Sequence, residues 1–137
     1  MFQKSLTVKD KDDILLLEIK ALSKSKGGFV MEVIVADQII MGLILNAGDA
    51  KQHIYQALSL AKDGKFSECD EQIELADKAL LEAHNLQTKF LAQEAGGTKT
   101  EITALFVHSQ DHLMTSITEI NLIKEIIDLR RELQGEK

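Results

Sequence analysis

The sequence has no proline, no tryptophan and one cysteine, and aromatic residues make up only 4% of its 137 residues. Proline and clusters of aromatic residues are typical of turns and strands in sheet proteins, so their scarcity favours long helices. The one cysteine, Cys69, cannot form an internal disulfide, which indicates a reducing compartment. Acidic neighbours in the run SECDEQ disfavour its thiolate, so we do not expect a reactive nucleophile there.

A basic charge excess and a long apolar run are also missing. The formal net charge is −6, which argues against non-specific binding of nucleic acid. The apolar stretch of residues 39–45 is soon interrupted by Asn46 and Asp49, and it is too short to cross a bilayer. The N-terminal run MFQKSLTVKDKDD lacks an apolar segment of the length found in signal peptides. We therefore expect one soluble, cytoplasmic domain.

Glycine-containing pairs divide the chain into three long segments, at residues 30–62, 66–95 and 99–133. These pairs are Gly27 with Gly28, Asp63 with Gly64, and Gly96 with Gly97. In the first segment every heptad core position is apolar: Val33, Ala36, Ile40, Leu43, Ala47, Ala50, Ile54, Ala57 and Ala61. The second segment repeats the spacing, interrupted by polar Gln87: Phe66, Cys69, Ile73, Ala76, Leu80, Ala83 and Phe90. Such spacing predicts helices with coiled-coil-like packing.

A capping pattern marks the expected start of the third helix. Thr98 is followed three residues later by Glu101, which matches a capping box and predicts a helix directly after the glycine pair. Connections this short place consecutive helices side by side in opposite directions. The predicted fold class is therefore all-α, an antiparallel up-down-up three-helix bundle.

Residues 1–30 do not continue this pattern. Apolar residues between Ile14 and Leu22 are compatible with a short helix, and the following SKSKGG is typical of a flexible linker. We therefore divide the chain into an N-terminal leader or linker (1–30), a three-helix domain (31–133) and a C-terminal tail (134–137). The leader contains no histidine and is expected to be dispensable for chemistry.

The third segment carries two seams on opposite sides of one helix. The first seam is mostly apolar and is expected to pack on the other helices: Ile102, Phe106, Ser109, Leu113, Ser116, Ile120, Ile123 and Ile127. The second seam lies across the helix from it: Val107, Asp111, Met114, Thr118, Leu122, Glu125 and Leu129. A three-helix bundle can bury only one of them. We therefore predict that the third helix meets copies of itself about a symmetry axis, although scattered surface apolar residues are the plainer alternative.

Asp111 lies in the middle of the second seam. Carboxylates brought together there by symmetry would repel one another, so protons or a bound cation would have to neutralise them. A hard divalent cation accepts such oxygen ligands readily. The alternative is an ordinary exposed helix aspartate.

His108 and His112 are one helical turn apart and share the flank between the two seams. Imidazole is nucleophilic at neutral pH, so His108 at a subunit boundary suits a covalent relay. The spacing also resembles a helical zinc site, but no third ligand is evident, and aspartate stands where zinc peptidases have glutamate. A di-iron site would need glutamate three residues before a histidine, which none of the four histidines has. Ordinary helix histidines are the remaining reading, and spacing alone favours it.

Three motifs resemble one known family in order and spacing, over about residues 31–133. They are VHSQDHLMTS at 107–116, NAGDA at 46–50, and EAH at 82–84 with Gln87 and Thr88. Together they resemble the lactose/cellobiose class of enzyme IIA of the phosphoenolpyruvate-dependent sugar phosphotransferase system. Ser109 replaces a small residue usual in that family, and residues 1–30 differ from its leaders.

This resemblance implies a homotrimer of three-helix bundles that associate through the third helix. It implies that His108 accepts phosphate from the phosphocarrier HPr and passes it to a cysteine of enzyme IIB, during uptake of a β-linked disaccharide such as lactose, cellobiose or chitobiose. Gln110 and His112 would be supporting residues. Asp111 would bind a divalent metal ion at the trimer axis, with Mg²⁺ the expected ion. The membrane would be reached only through the permease IIC. A non-catalytic regulatory trimer with this fold is the alternative, and a metal-dependent hydrolase is a more distant one.

Overall fold

The computed structural model describes residues 28–135, with side chains from Ala36 onward. These residues form three α-helices and no strand: α1 (Gly28–Lys62), α2 (Phe66–Ala95) and α3 (Ala104–Leu133). The all-α prediction is confirmed, and the packing described below lies in the unit that starts at Ala36. The expectations for residues 1–27 lie outside the described residues.

A glycine turn ends α1 and lets the chain reverse. Gly64 has a positive φ of 74°, which residues with a Cβ rarely adopt. The N–H of Lys65 donates to the carbonyl of Leu60 at 2.9 Å, and the N–H of Gly64 donates to that of Ala61 at 3.2 Å. These two bonds satisfy carbonyls that the helix end would leave unpaired. The predicted break at Asp63 and Gly64 is therefore a tight helix-to-helix turn.

The start of α3 differs from the prediction. Thr98 does not cap it, because the N–H of Thr98 donates to the carbonyl of Gln93 at 3.1 Å and so closes the end of α2. α3 begins at Ala104, and the cap is Thr103, whose hydroxyl accepts from the N–H of Phe106 at 3.1 Å. A threonine cap satisfies one of the N–H groups that a helix start leaves free. The predicted start near residue 99 was therefore wrong by about one turn.

Contacts between side chains set the register of the bundle. Between α1 and α2, His53 pairs with Gln72, while the place a Cβ of Gly42 would take lies 2.7 Å from a methyl carbon of Leu86. Between α2 and α3, Phe90 stacks with Phe106, with ring centroids 4.9 Å apart, whereas Lys124 pairs with Asp77 and Arg131 with Asp70. In each pair of neighbours, rising numbers on one helix meet falling numbers on the next, so consecutive helices are antiparallel as predicted.

The predicted core positions of α1 and α2 are mostly buried. From Ile40 to Ala61, every heptad position of α1 is at most 3% exposed. On α2, Ile73 and Leu80 are only half-buried, and the rest of the predicted apolar positions are buried. Burial raises the pKa of the Cys69 thiol, outweighing the nearby Arg131, so this cysteine is a packing residue. Among the described residues, no helix has the length and apolarity needed to cross a membrane.

Candidate functional site

The first seam of α3 faces the other two helices. Its central members are all buried: Ser109, Leu113, Ser116, Ile120, Ile123 and Ile127. The two serines are satisfied within the helix, since Ser109 Oγ donates to the carbonyl of Phe106 at 2.7 Å and Ser116 Oγ to that of His112 at 2.6 Å. Ile102 is the exception: it precedes α3 and is 77% exposed.

The second seam is uncovered along its whole length. Val107, Met114, Leu122 and Leu129 are each between 55% and 60% exposed, and Asp111 is exposed among them. These four large apolar side chains form a stripe on one face of α3, which the polar Asp111, Thr118 and Glu125 interrupt. The chain therefore leaves on α3 the unpartnered face that the sequence predicts.

His108 and His112 lie on the flank of α3 that borders α1. His108 is exposed, and its ring meets the edge of the half-buried His112 ring, with centroids 5.7 Å apart. Two turns further along the same flank, Glu119 binds α1: it accepts from the Tyr55 hydroxyl and pairs with Lys51 Nζ at 2.9 Å. The exposed ring of His108 is accessible to another protein that approaches the α1-side flank of α3.

Lys51 and Tyr55 of α1 and Glu119 of α3 form a polar cluster whose members stabilise one another. Hydrogen bonds from Tyr55 and Lys51 lower the pKa of Glu119, and the nearby His112 adds to the effect. The same contacts raise the pKa of Lys51 and of Tyr55, since Glu119 favours the ammonium and, as hydrogen-bond acceptor, the protonated phenol. The cluster ties α3 to α1 beside the histidine pair.

Gln110 lies on the opposite flank of α3, which borders α2. Gln87 Nε2 donates to Gln110 Oε1 at 2.7 Å, and both side chains are half-buried. Gln110 Nε2 and His112 Nδ1 are buried without a hydrogen-bond partner. A buried donor without an acceptor costs about 1–3 kcal/mol, so these atoms are not in their most stable surroundings. Within one chain, Gln110 and His108 are two residues apart and point to different sides.

The remaining motif residues lie in the same half of the bundle as His108. Asn46 Nδ2 donates to the carbonyl of Gly42 at 2.9 Å, and the contact of Gly42 with Leu86 brings this part of α1 beside the EAH motif of α2. His84 is exposed, and its carbonyl accepts from Thr88 Oγ1 at 3.0 Å. His53 lies further along the bundle, with Nδ1 2.8 Å from Gln72 Oε1.

Asp111 is the one acidic residue in its part of the second seam, and it is exposed three residues after His108. Within residues 36–135, no group of three His, Cys, Asp or Glu side chains is placed to hold a metal ion. One chain thus supplies a single carboxylate at this position, and a cation there needs oxygen donors from other copies.

Two polar contacts were missed in the sequence. Gln87 was visible as the polar interruption of the α2 core pattern, but its partner on α3 was not. The contact of Tyr55 and Lys51 with Glu119 joins residues more than sixty positions apart and left no signal in either helix.

Comparisons with known proteins agree on one family. Residues 38–131 match the family described as "PTS system, Lactose/Cellobiose specific IIA subunit". The N,N'-diacetylchitobiose-specific EIIA component of Escherichia coli K12 is 41% identical over 99 residues, which cover 72% of this chain and 85% of that protein. The lichenan-specific IIA component of Bacillus subtilis 168 is 38% identical over 101 residues, covering 74% and 92%.

Solved structures show the same similarity. The cellobiose-specific enzyme IIA of Bacillus anthracis superposes with a TM-score of 0.71 at 46% identity, covering 74% of this chain and 94% of that one. The chitobiose IIA of Escherichia coli, solved in complex with HPr, gives a TM-score of 0.63 at 40% identity, covering 72% and 95%.

Proposed function

The chain belongs to the lactose/cellobiose-specific IIA family of the sugar phosphotransferase system, and we propose that His108 carries the phosphoryl group. As a member, it is a phosphotransferase component. The observation that supports His108 is its placement: it is an exposed histidine on the α1-side flank of α3, within the motif that resembles the family's active-site segment. The donor is HPr, with which the similar chitobiose IIA of Escherichia coli forms a complex.

The proposed transfer needs a nucleophile and alignment. A lone pair of the His108 imidazole attacks phosphorus, an N–P bond forms, and the N–P bond of the donor histidine breaks. The electron pair of the broken bond returns to the donor ring, which takes up one proton while the second ring nitrogen of His108 gives one up. In the next step a cysteine thiolate of enzyme IIB attacks, an S–P bond forms, and the electron pair of the N–P bond returns to His108, whose ring takes up one proton and is neutral again. Positioning dominates such reactions because the phosphoryl group needs little acid–base assistance.

The assembly we propose is a homotrimer with α3 at the axis. The second seam supplies a stripe of large apolar side chains that one chain leaves exposed. In a closed ring, the α1-side flank of each α3 faces the α2-side flank of the next copy. Rotation about an axis parallel to α3 preserves height, so His108 of one copy and Gln110 of its neighbour differ by about 3 Å along the axis. His112 supports His108 within the same chain, and Gln110 supports it from the neighbouring one.

Asp111 would bind a divalent cation, such as Mg²⁺, where the three copies meet. Its carboxylate is exposed in the middle of the second seam and has no acidic neighbour one turn away on the seam. Oxygen donors of this kind suit a hard cation, which would neutralise three converging charges. The ion would serve assembly, because Asp111 lies on the second seam, where the copies would meet.

The transported sugar is proposed to be a β-linked disaccharide. Similar proteins are named as specific for N,N'-diacetylchitobiose, cellobiose, lichenan or lactose, and one is named as specific for galactose. A carrier of phosphate does not contact the sugar, so the companion IIC permease decides between chitobiose, cellobiose and lactose. Pairing this chain with IIB and IIC components of each specificity, and measuring uptake of the three sugars, would identify it.

The test of the proposed function uses phosphoenolpyruvate, enzyme I and HPr with the wild-type chain and His108→Ala. We expect acid-labile, base-stable phosphate on the wild-type chain and none on the variant, since no other nucleophile occupies this position. His84→Ala is the matched control, because it removes another exposed histidine from the same half of the bundle. Circular dichroism and sedimentation should be unchanged in both variants. Full labelling of His108→Ala would refute the assignment.

A further inference from the structure

The Gln87–Gln110 contact joins two side-chain amides and leaves the nitrogen of the Gln110 amide without a hydrogen-bond partner. A glutamine amide has an oxygen that accepts and a nitrogen that donates, so binding one end decides which end remains. Gln87 Nε2 donates to Gln110 Oε1 at 2.7 Å, and the donor end of Gln110 is buried without any acceptor. The contact therefore presents Gln110 as a hydrogen-bond donor that its own chain does not satisfy.

We propose that Gln87 is a positioning residue that fixes the amide orientation of Gln110, so that its N–H end serves the phosphoryl group on His108 of a neighbouring copy. This inference rests on the proposed function and its trimer. A phosphoryl group carries negative charge on three oxygens and takes donors only, so the opposite amide orientation would direct an oxygen toward it. The Gln110 side chain is anchored at Oε1 and has to turn about that anchor for Nε2 to reach an acceptor outside its own chain.

The two glutamines lie where this role requires. Gln110 is on the α2-side flank of α3, opposite the histidine pair, and Gln87 faces it from α2, so only another copy can bring His108 to them. A donor already held beside the site gains more from a charged acceptor than one that must first be brought there. The unsatisfied Gln110 Nε2 lowers the stability of the single chain, and a hydrogen bond to the phosphoryl group in the assembly would remove that loss.

Gln87→Glu tests the orientation with almost no change of shape. A carboxylate at position 87 can only accept, so it binds Gln110 Nε2 and leaves Gln110 Oε1 as the free end. We expect transfer from phosphorylated HPr to fall about tenfold, and the phosphate on His108 to hydrolyse faster by a similar factor, because hydrogen bonds to charged groups are the strong ones. Gln87→Met, which removes the anchor without reversing the amide, should have a smaller effect.

Gln72→Glu is the matched control. It places the same new charge on the same helix, at a half-buried glutamine that binds across to His53 of α1. We expect transfer at the wild-type rate in this variant. An equal loss in Gln72→Glu would attribute the effect to added charge on α2 and overturn the proposal.

A double-mutant cycle separates positioning from direct action. In a Gln110→Ala background, Gln87→Glu should have no further effect on transfer or on phosphate lifetime, because no amide remains to be oriented. An undiminished effect in that background would overturn the proposal, as would wild-type transfer by Gln87→Glu itself. Failure of the proposed function is recognised separately, by labelling of His108→Ala.

Mixed oligomers test the contribution from the neighbouring copy. Chains with Gln87→Glu keep His108, and chains with His108→Ala keep Gln87 and Gln110. Co-assembled from denaturant, the two should form sites in which an intact His108 faces an intact glutamine pair. We expect some sites with wild-type transfer rates in the mixture and none in either parent; a mixture that transfers only at the Gln87→Glu rate would place the glutamines and His108 in one chain and refute the arrangement.

Discussion

The two halves of the bundle differ in what they bury. In the distal half, residues 51–79 and 117–133, the core contains Ile54, Phe66, Ile120 and Ile127, and Arg131 lies 5.0 Å above the Phe66 ring. In the histidine half, residues 36–50, 80–95 and 104–116, the core contains Ile40, Leu43, Phe90 and Leu113 together with both buried serines. The two unpartnered buried polar atoms among the described side chains also lie in the histidine half.

This difference lies in the polar groups rather than in the number of large apolar side chains. The buried side chains of the distal half, together with Ala50, form one apolar cluster, whose burial stabilises the fold. The ion pairs of Lys124 with Asp77 and Arg131 with Asp70 lie in the same half. The histidine half also buries large apolar side chains, together with two serines and two polar atoms that have no hydrogen-bond partner in the single chain.

Truncating the distal core should have the largest effect. Ile127→Ala removes a fully buried side chain and should lower the free energy of unfolding by about 2–4 kcal/mol. Ser116→Ala, at an equally buried serine of the histidine half, should cost below about 1 kcal/mol because it removes one oxygen, and the His112 carbonyl it releases stays in its helical bond. Urea titrations of both variants measure the two losses. Equal losses would mean that burial of the Ile127 side chain contributes no more than the Ser116 hydroxyl.

Replacing the acid of the second seam should alter assembly rather than folding. Asp111→Leu makes the apolar stripe continuous in the histidine half, so we expect a trimer at least as stable as the wild type and insensitive to chelators. Glu125→Leu, the corresponding acid of the distal half, should leave chelator sensitivity in place. Phosphate acceptance by His108 should survive in both. Sedimentation with and without chelator is the measurement, and a monomeric Asp111→Leu protein would refute the axis placement.

Two glycines of α1, Gly42 and Gly48, show how tightly the histidine half is packed at each position. A Cβ at Gly48 would meet nothing within 4 Å, so Gly48→Ala should raise the free energy of unfolding by about 0.5–1 kcal/mol through helix propensity. A Cβ at Gly42 would lie 2.7 Å from Leu86 Cδ1, so Gly42→Ala should lose that gain or reverse it. Thermal unfolding of the two variants measures both changes in stability. A stabilised Gly42→Ala would show that Leu86 moves freely.

The smallest effect is expected at the junction of the halves, where Glu119 meets α1. Its pKa is lowered in the fold, chiefly by the Tyr55 hydroxyl and then by Lys51, so its stabilisation is present above the ordinary value of 4.5 and is lost as pH falls through the lowered one. The pair is about a third exposed, which limits the contribution to about 1 kcal/mol.

Glu119→Gln should therefore be less stable than the wild type at pH 7 and equal to it near pH 2, as measured by urea titration at both values. Tyr55→Phe, which removes one hydrogen bond and keeps the ion pair, should show a smaller difference of the same sign. A constant difference at all pH values would mean that packing, and not ionisation, is responsible.

Heptad spacing predicted the fold because each helix shows its buried face in its own residues. The apolar repeat of α1 and the first seam of α3 are local patterns, and packing followed them. The start of α3 was missed because Thr98 and Glu101 satisfy a local rule while the Thr98 N–H is used to end α2. A capping pattern cannot show which of two neighbouring helices a threonine serves.

Only those features of the site that lie within one helix could be predicted from the sequence. His108, His112 and the second seam belong to α3, and their angular order follows from their numbers. The pairing of Gln87 with Gln110 depends on the register between two helices, which the sequence of neither contains. The chemistry of His108 came from resemblance, since histidine spacing alone favoured an ordinary surface residue.

The tight turn at Gly64 has a kinetic consequence. Because α1 and α2 are joined by three residues, many of their contacts are close in sequence, and such topologies fold within microseconds to milliseconds. Formation of the proposed trimer requires collisions between folded chains and slows with dilution. After a jump out of denaturant, helical signal should recover at a rate independent of protein concentration. Phosphate acceptance at the proposed site, which combines His108 of one copy with Gln110 of the next, should recover later, at a rate that rises with protein concentration. Newly made carrier would then stay inactive until enough copies accumulate.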